Sequence, residues 1–155
     1  MIDSQLIETV PEYKTMQVEL VRVDDAFHFE AVGMSGVTQH IDAATDIGGH
    51  NAGARPMELL LMGLAGCSAI DIVLILKKQK QVVDDFRMKV DGLREKDAMP
   101  SPFKKIHITY LLTGQLDPEK VKRAIDLSMD KYCSATAQFR PLADITYSFE
   151  INATS

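Results

Sequence analysis

The chain has 155 residues, 46% of them hydrophobic and 25% charged, with a formal net charge of −5. That balance supplies no basic field for nucleic acid and no polybasic patch for a membrane surface, and it suits a cytoplasmic globular domain. Two cysteines are too few for a disulfide scaffold or a four-cysteine zinc site, and their separation of 66 residues matches neither CxxC nor a common metal-ligand spacing.

Taken alone, the two cysteines read as buried thiols or as a redox pair. The opening MIDSQLIETVPEY carries no positive n-region and no apolar h-region, so no secretory signal is expected. The length favours one domain spanning residues 1–155.

The first element is a strand in MQVELVRV, where Met16, Val18 and Leu20 share a face and Arg22 continues it. After a DDA turn, FHFEAV alternates again, with Phe27 and Phe29 opposite His28 and Glu30. A GMSG turn leads to a short third strand near VTQHIDA, which completes a meander. The loop DIGGHNAGARP is glycine-rich but contains neither GxxxxGK nor GxGxxG, so it is not a phosphate cradle.

Pro56 then stands where a helix places its first residue, and the helix runs on to the basic LKKQKQ. Its apolar stretch from Met57 to Leu76 has 20 residues, nearly a membrane-spanning length. Glu58 and Asp71 interrupt it, and Gly63 and Gly66 lie within it. A buried central helix fits better than a membrane span. Such a helix, apolar on nearly all sides, needs cover all round. One sheet covers one side and a second subunit the rest, so a homodimer is expected.

DDFRMKVDG alternates through Phe86, Met88 and Val90, and KIHITYLLTG through Ile106, Ile108, Tyr110 and Leu112. A polar loop with two prolines joins them into a hairpin. DPEKVKRAIDLSMDKY is an amphipathic helix with Asp117 as N-cap, Pro118 in its first turn, and Val121, Ala124, Ile125, Ser128 and Met129 along its inner face. CSATAQFRPL offers a further helical turn, and DITYSFEI is the final strand, with Ile145, Tyr147, Phe149 and Ile151 on one face. The order is βββ-α-ββ-α-β, an α+β fold with two antiparallel groups of strands.

GARPMELLLMGLAGCSAIDIV and KYCSATAQF resemble the two cysteine motifs of the OsmC/Ohr family of osmotically induced and organic hydroperoxide resistance proteins. The element order is similar across essentially the whole chain. CSAID and ILKK look closer to the less characterised OsmC-like branch. The resemblance implies a single OsmC-like domain and an intertwined homodimer with buried central helices. It also implies reduction of organic hydroperoxides by two cysteines, recycled by an external dithiol such as a lipoyl group. Cys67 matches the attacking position and Cys133 the resolving one. Arg22 matches an arginine from the first strands and Glu58 a glutamate at the start of the central helix.

An attacking sulfur must be a thiolate. Cys67 lies about three turns into its helix, where the positive pole of the helix start has faded. A cation must therefore reach it. Arg22 is the best candidate, since an uncompensated inward charge is costly; the alternative is an arginine that bends out to water. Arg55 and Arg140 are weaker candidates. The cycle needs no metal, flavin or nucleotide. Leu60, Leu64 and Met129 around Cys67 suit an organic hydroperoxide, though they also read as core.

One departure bears on this. The resemblance places the glutamate directly after the proline, but Met57 stands there and Glu58 follows, and one residue turns a helix by about 100°. Glu58 therefore either anchors the arginine or favours the helix start as a charge. Asp71, four residues after Cys67 and on the same face, either orients the arginine, bonds to a partner helix or repels a thiolate. His28, His40, His50 and His107 show no ligand spacing and read as surface or turn residues. Two other functions compete with peroxide reduction: binding of a lipid or other small apolar ligand, and redox sensing without efficient turnover.

Overall fold

The computed structural model describes residues 11–154. The segment 1–10, on which the expectation of no signal peptide partly rests, lies outside the described residues. The chain forms two compact units, Met1–Pro56 and Met57–Ser155.

In the N-terminal unit, β1 (Glu19–Arg22), β2 (Phe29–Val32) and β3 (Thr38–Ile41) pair antiparallel in the order β1-β2-β3. Asp24 builds the first turn: its Oδ1 accepts from the backbone N–H of Ala26 at 2.9 Å and of His28 at 3.1 Å. The following loop is held from inside by Asp42, only 1% exposed, whose carboxylate accepts from the N–H groups of Ala43, His50 and Ala52. Those bonds, Ala52's foremost, hold its pKa below the ordinary carboxylate value. Gly49 is required here, because a Cβ would lie 2.0 Å from the carbonyl oxygen of Ala43.

The alternation in MQVELVRV predicts a buried face on β1, yet every residue of that strand is exposed. β1 is an edge strand, paired on one side only, and alternation alone does not supply a covering layer.

In the C-terminal unit, α1 (Pro56–Lys78) shares one core with a sheet of β4 (Asp85–Arg94), β5 (Phe103–Thr113) and β6 (Asp144–Asn152), ordered β4-β5-β6. The central strand contributes Ile106, Ile108, Tyr110 and Leu112, all buried, at the period of two its sequence announces. Gly92 on β4 gives the Phe103 ring its place: a Cβ there would lie 2.6 Å from the ring.

β6 corrects the expectation of two antiparallel groups. It runs parallel to β5, so this sheet is mixed. A parallel neighbour needs a long crossover, which α2 (Pro118–Leu127) and α3 (Ser134–Phe139) provide. Asp117 caps α2 as expected, accepting from Glu119 N at 2.9 Å. Val121, Ala124, Ile125, Ser128 and Met129 are all buried. Between the two helices, Ser128–Tyr132 forms one wide turn in which Cys133 N donates to Ser128 O at 2.8 Å.

α1 is long and apolar enough to cross a membrane by length and composition. Within the chain it buries a single stripe, Leu64, Ser68, Ile72 and Leu76, spaced by four. Ile70, Val73 and Leu74, off that stripe, stay exposed, as does Leu60, four residues before Leu64. The cover that its composition calls for is therefore only partly supplied by its own chain.

Candidate functional site

Cys67 and Cys133 come together in the C-terminal unit. Cys67 sits on α1 one position before the buried Ser68, which leaves its side chain half-buried at the edge of the core stripe. Cys133 is 4% exposed and caps α3, its Sγ accepting from Thr136 N at 3.3 Å. Both thiols are free. The two sulfurs and a carboxylate oxygen of Asp71 all lie within 4.8 Å of one another. A disulfide needs sulfurs about 2.05 Å apart, so forming one requires the two side chains to move together.

Burial pushes the Cys133 thiol up from its ordinary pKa, hydrogen bonds from Thr136 pull it partly back, and the neighbouring Cys67 adds to the rise. Cys133 is thus held as a thiol, and the sulfur with greater access is Cys67.

Behind the sulfurs runs a line of hydroxyls. Tyr110 Oη lies 2.6 Å from Ser68 Oγ, Ser68 Oγ lies 3.3 Å from Ser128 Oγ, and Ser128 Oγ lies 3.1 Å from Asp71 Oδ2. Tyr110, Ser68 and Ser128 are fully buried. Each hydroxyl has one proton to give, and the carboxylate can only accept. Ser128 therefore turns its one proton toward Asp71 and Ser68, Ser68 donates to Tyr110, and Tyr110 donates to Met129 Sδ at 3.7 Å. Burial pushes the Tyr110 phenol up to about 12, against the pull of its bond to Ser68. The sequence carried a faint signal for this line, since Ser128 falls on the apolar face of its helix and Asp71 on the face of Cys67. Ser68 and Tyr110 gave none beyond their strand and helix periods.

The other anticipated residues are placed as follows. Arg22 is exposed in the N-terminal unit, where its guanidinium donates to the backbone carbonyls of Ala26, at 2.9 Å, and Asp25. Glu58 is exposed in the first turn of α1, where the helix dipole favours a negative charge. Arg140 donates to Met129 O at 2.9 Å and pairs with Asp130 at 2.8 Å. Arg55 donates to Gly53 O and to Asn51 Oδ1. Leu64 and Met129 are buried, whereas Leu60 is half-exposed. Each histidine has a polar neighbour: His28 and His40 face each other at 2.9 Å, His50 meets Asp24 at 3.0 Å, and His107 lies between Thr146 and Ser148.

Residues 49–148 match the family described as OsmC-like protein. The chain belongs to the OsmC-like family. Among curated relatives, it is 42% identical over 99 residues to protein YhfA of Escherichia coli K12, covering 63% of this chain and 73% of that one. The crystal structure of a hypothetical protein from Aquifex aeolicus superposes with a TM-score of 0.80 at 29% identity, over 92% of this chain and all of that one. The organic hydroperoxide resistance protein OhrB of Bacillus subtilis shares the fold at a TM-score of 0.59 and 22% identity, over 88% of this chain and 98% of that one. The two three-stranded sheets with their helices match these OsmC-like neighbours.

Proposed function

We propose that this OsmC-like protein is a thiol peroxidase that reduces organic hydroperoxides through a cycle of Cys67 and Cys133, as a single domain. The observation that carries the reading is the pair of free sulfurs within 4.8 Å, one half-buried and one buried. The Cys67 thiolate attacks the outer oxygen of ROOH, the O–O bond breaks, and ROH leaves with a proton. The sulfenic acid on Cys67 is then attacked by Cys133, which forms the disulfide and releases water. An external dithiol, such as a lipoyl group, restores both thiols by exchange and leaves as its own disulfide. Arg22 and Glu58 are assigned, on the resemblance, the roles of thiolate-stabilising cation and its carboxylate anchor.

The exposed apolar side of α1, with Ile70 at 71% and Leu74 at 50%, supports a homodimer as the working form. The acidic composition supports a cytoplasmic setting.

Stopped-flow thiol titration with cumene hydroperoxide tests the cycle. Wild type loses both thiols rapidly, Cys67→Ser does not react, and Cys133→Ser stops at the sulfenic acid. Equal slow loss of thiols in wild type and Cys67→Ser, with no disulfide formed, overturns it.

A second reading, ligand binding with bystander cysteines, draws on a cavity of about 410 Å³ lined by Leu74, Ile75, Leu127 and Tyr132 together with Lys78 and Arg123. Native mass spectrometry that finds a bound amphiphile on a peroxide-inert protein decides for it.

A further inference from the structure

We propose that Cys67, Cys133 and Asp71 form a binding site for a thiophilic divalent cation, zinc before others. The three donors come from the middle of α1, the turn before α3, and α1 one turn further on. Their ligand atoms lie within 4.8 Å of one another. Zinc bonds thiolate sulfur at about 2.3 Å and carboxylate oxygen at about 2.0 Å, so a tetrahedral site needs sulfurs about 3.8 Å apart and sulfur–oxygen gaps of about 3.5 Å. Closing to those values takes at most about 1.0 Å between the sulfurs and about 1.3 Å between sulfur and oxygen, on the scale of a side-chain torsion.

Two features beyond proximity support the site. The Asp71 carboxylate is oriented by Ser128, which is itself backed by Ser68 and Tyr110, as an outer shell orients a metal ligand. The Cys133 sulfur is fixed by Thr136 N, and the more accessible Cys67 leaves an approach from outside. Two sulfurs and one oxygen select zinc-like cations over magnesium or calcium, which take oxygen donors. Three protein ligands leave a fourth position for water. The sequence alone could not show this site, because its two sulfurs lie 66 residues apart.

Binding replaces two S–H bonds by two sulfur–zinc bonds and releases two protons, and both sulfurs are then ionised by the metal. The site exists whether or not peroxide is turned over. If it is, as the peroxidase reading holds, the two uses exclude each other. The zinc dithiolate plus ROOH and two protons gives the disulfide, free zinc, ROH and water. The two electrons come from the sulfurs, and the metal keeps its charge.

The test uses the reduced full-length protein and cobalt(II) as a spectroscopic stand-in, with zinc in competition. The expected result is one cobalt per chain, a near-ultraviolet thiolate-to-cobalt charge-transfer band and tetrahedral visible bands, all erased by zinc. Cys67→Ser and Cys133→Ser lose the charge-transfer band, and Asp71→Asn weakens zinc by at least about tenfold. A reduced wild-type protein with no charge-transfer band overturns the proposal, as does a band and affinity unchanged in Asp71→Asn. These readouts involve no peroxide, so failure of the metal site and failure of the peroxidase reading are seen separately.

Discussion

Removing the Tyr110 hydroxyl is expected to cost more than removing the Ser68 hydroxyl it bonds to. The reason lies in the direction of the hydroxyl line. In Ser68→Ala, Tyr110 keeps its own proton on Met129 Sδ and Ser128 keeps its proton on Asp71, and only an accepted bond is lost, a cost of about 0.5–1.5 kcal/mol. In Tyr110→Phe, the Ser68 proton loses its acceptor inside a fully buried site. Its remaining polar neighbour, Ser128 Oγ at 3.3 Å, is aligned to donate to Ser68 and not to accept from it. An orphaned buried donor costs about 1–3 kcal/mol, and a figure of about 2 kcal/mol is expected. At a urea m-value of about 2 kcal/mol/M, that lowers the unfolding midpoint by about 1 M. The double variant leaves no orphan, because Ser128 still donates to Asp71 at 3.1 Å. It should therefore cost at least about 1 kcal/mol less than the sum of the singles. The assay is urea denaturation of the four proteins at one fixed concentration. A Ser68→Ala midpoint as low as that of Tyr110→Phe, with an additive double variant, refutes the assigned direction.

The same phenol gives a pH prediction. A raised folded pKa means that its share of stability is complete below 10.0 and is lost as pH climbs from there to about 12, so the thermal midpoint falls across that window in wild type and less in Tyr110→Phe. Gly92→Ala forces a methyl against the Phe103 ring and should destabilise by about 1–3 kcal/mol in the same urea assay, with thiol reactivity unchanged. Ile70→Glu places a charge on the exposed side of α1 and should convert a dimer to monomers in sedimentation velocity; a dimer of undiminished affinity places the interface elsewhere.

Much of the C-terminal unit was legible because its signals are periodic and local. The β5 residues Ile106, Ile108, Tyr110 and Leu112 alternate and are all buried, and the inner face of α2, Ser128 included, is read directly from spacing. The Asp117 cap follows from chemistry at a single position. What stayed hidden depends on partners distant in sequence. Alternation says which face of β6 is apolar but not which way the strand runs, so its parallel pairing with β5 is a finding of the structure. The exposure of β1, and of Arg22 with it, reflects a covering layer that no strand can encode for itself. At the candidate site, the meeting of Cys67 and Cys133 was expected from the motif resemblance. The hydroxyl line was not, because a serine on a helix face reads as a small filler until the tyrosine opposite is known.

The wide turn at Ser128–Tyr132 bears on which changes in chain length this segment tolerates. It accommodates one residue more than a regular helical turn, and Cys133 follows directly upon it. Deleting a single residue there would let the backbone relax to ordinary winding, in which four residues turn about as far as these five do now, so the thiol keeps its phase. A further insertion finds the slack already taken up, and would swing the thiol by about 100° and push it on by about 1.5 Å. Point substitutions on the outer side of the turn leave the phase intact, so this segment tolerates a residue fewer more readily than a residue more.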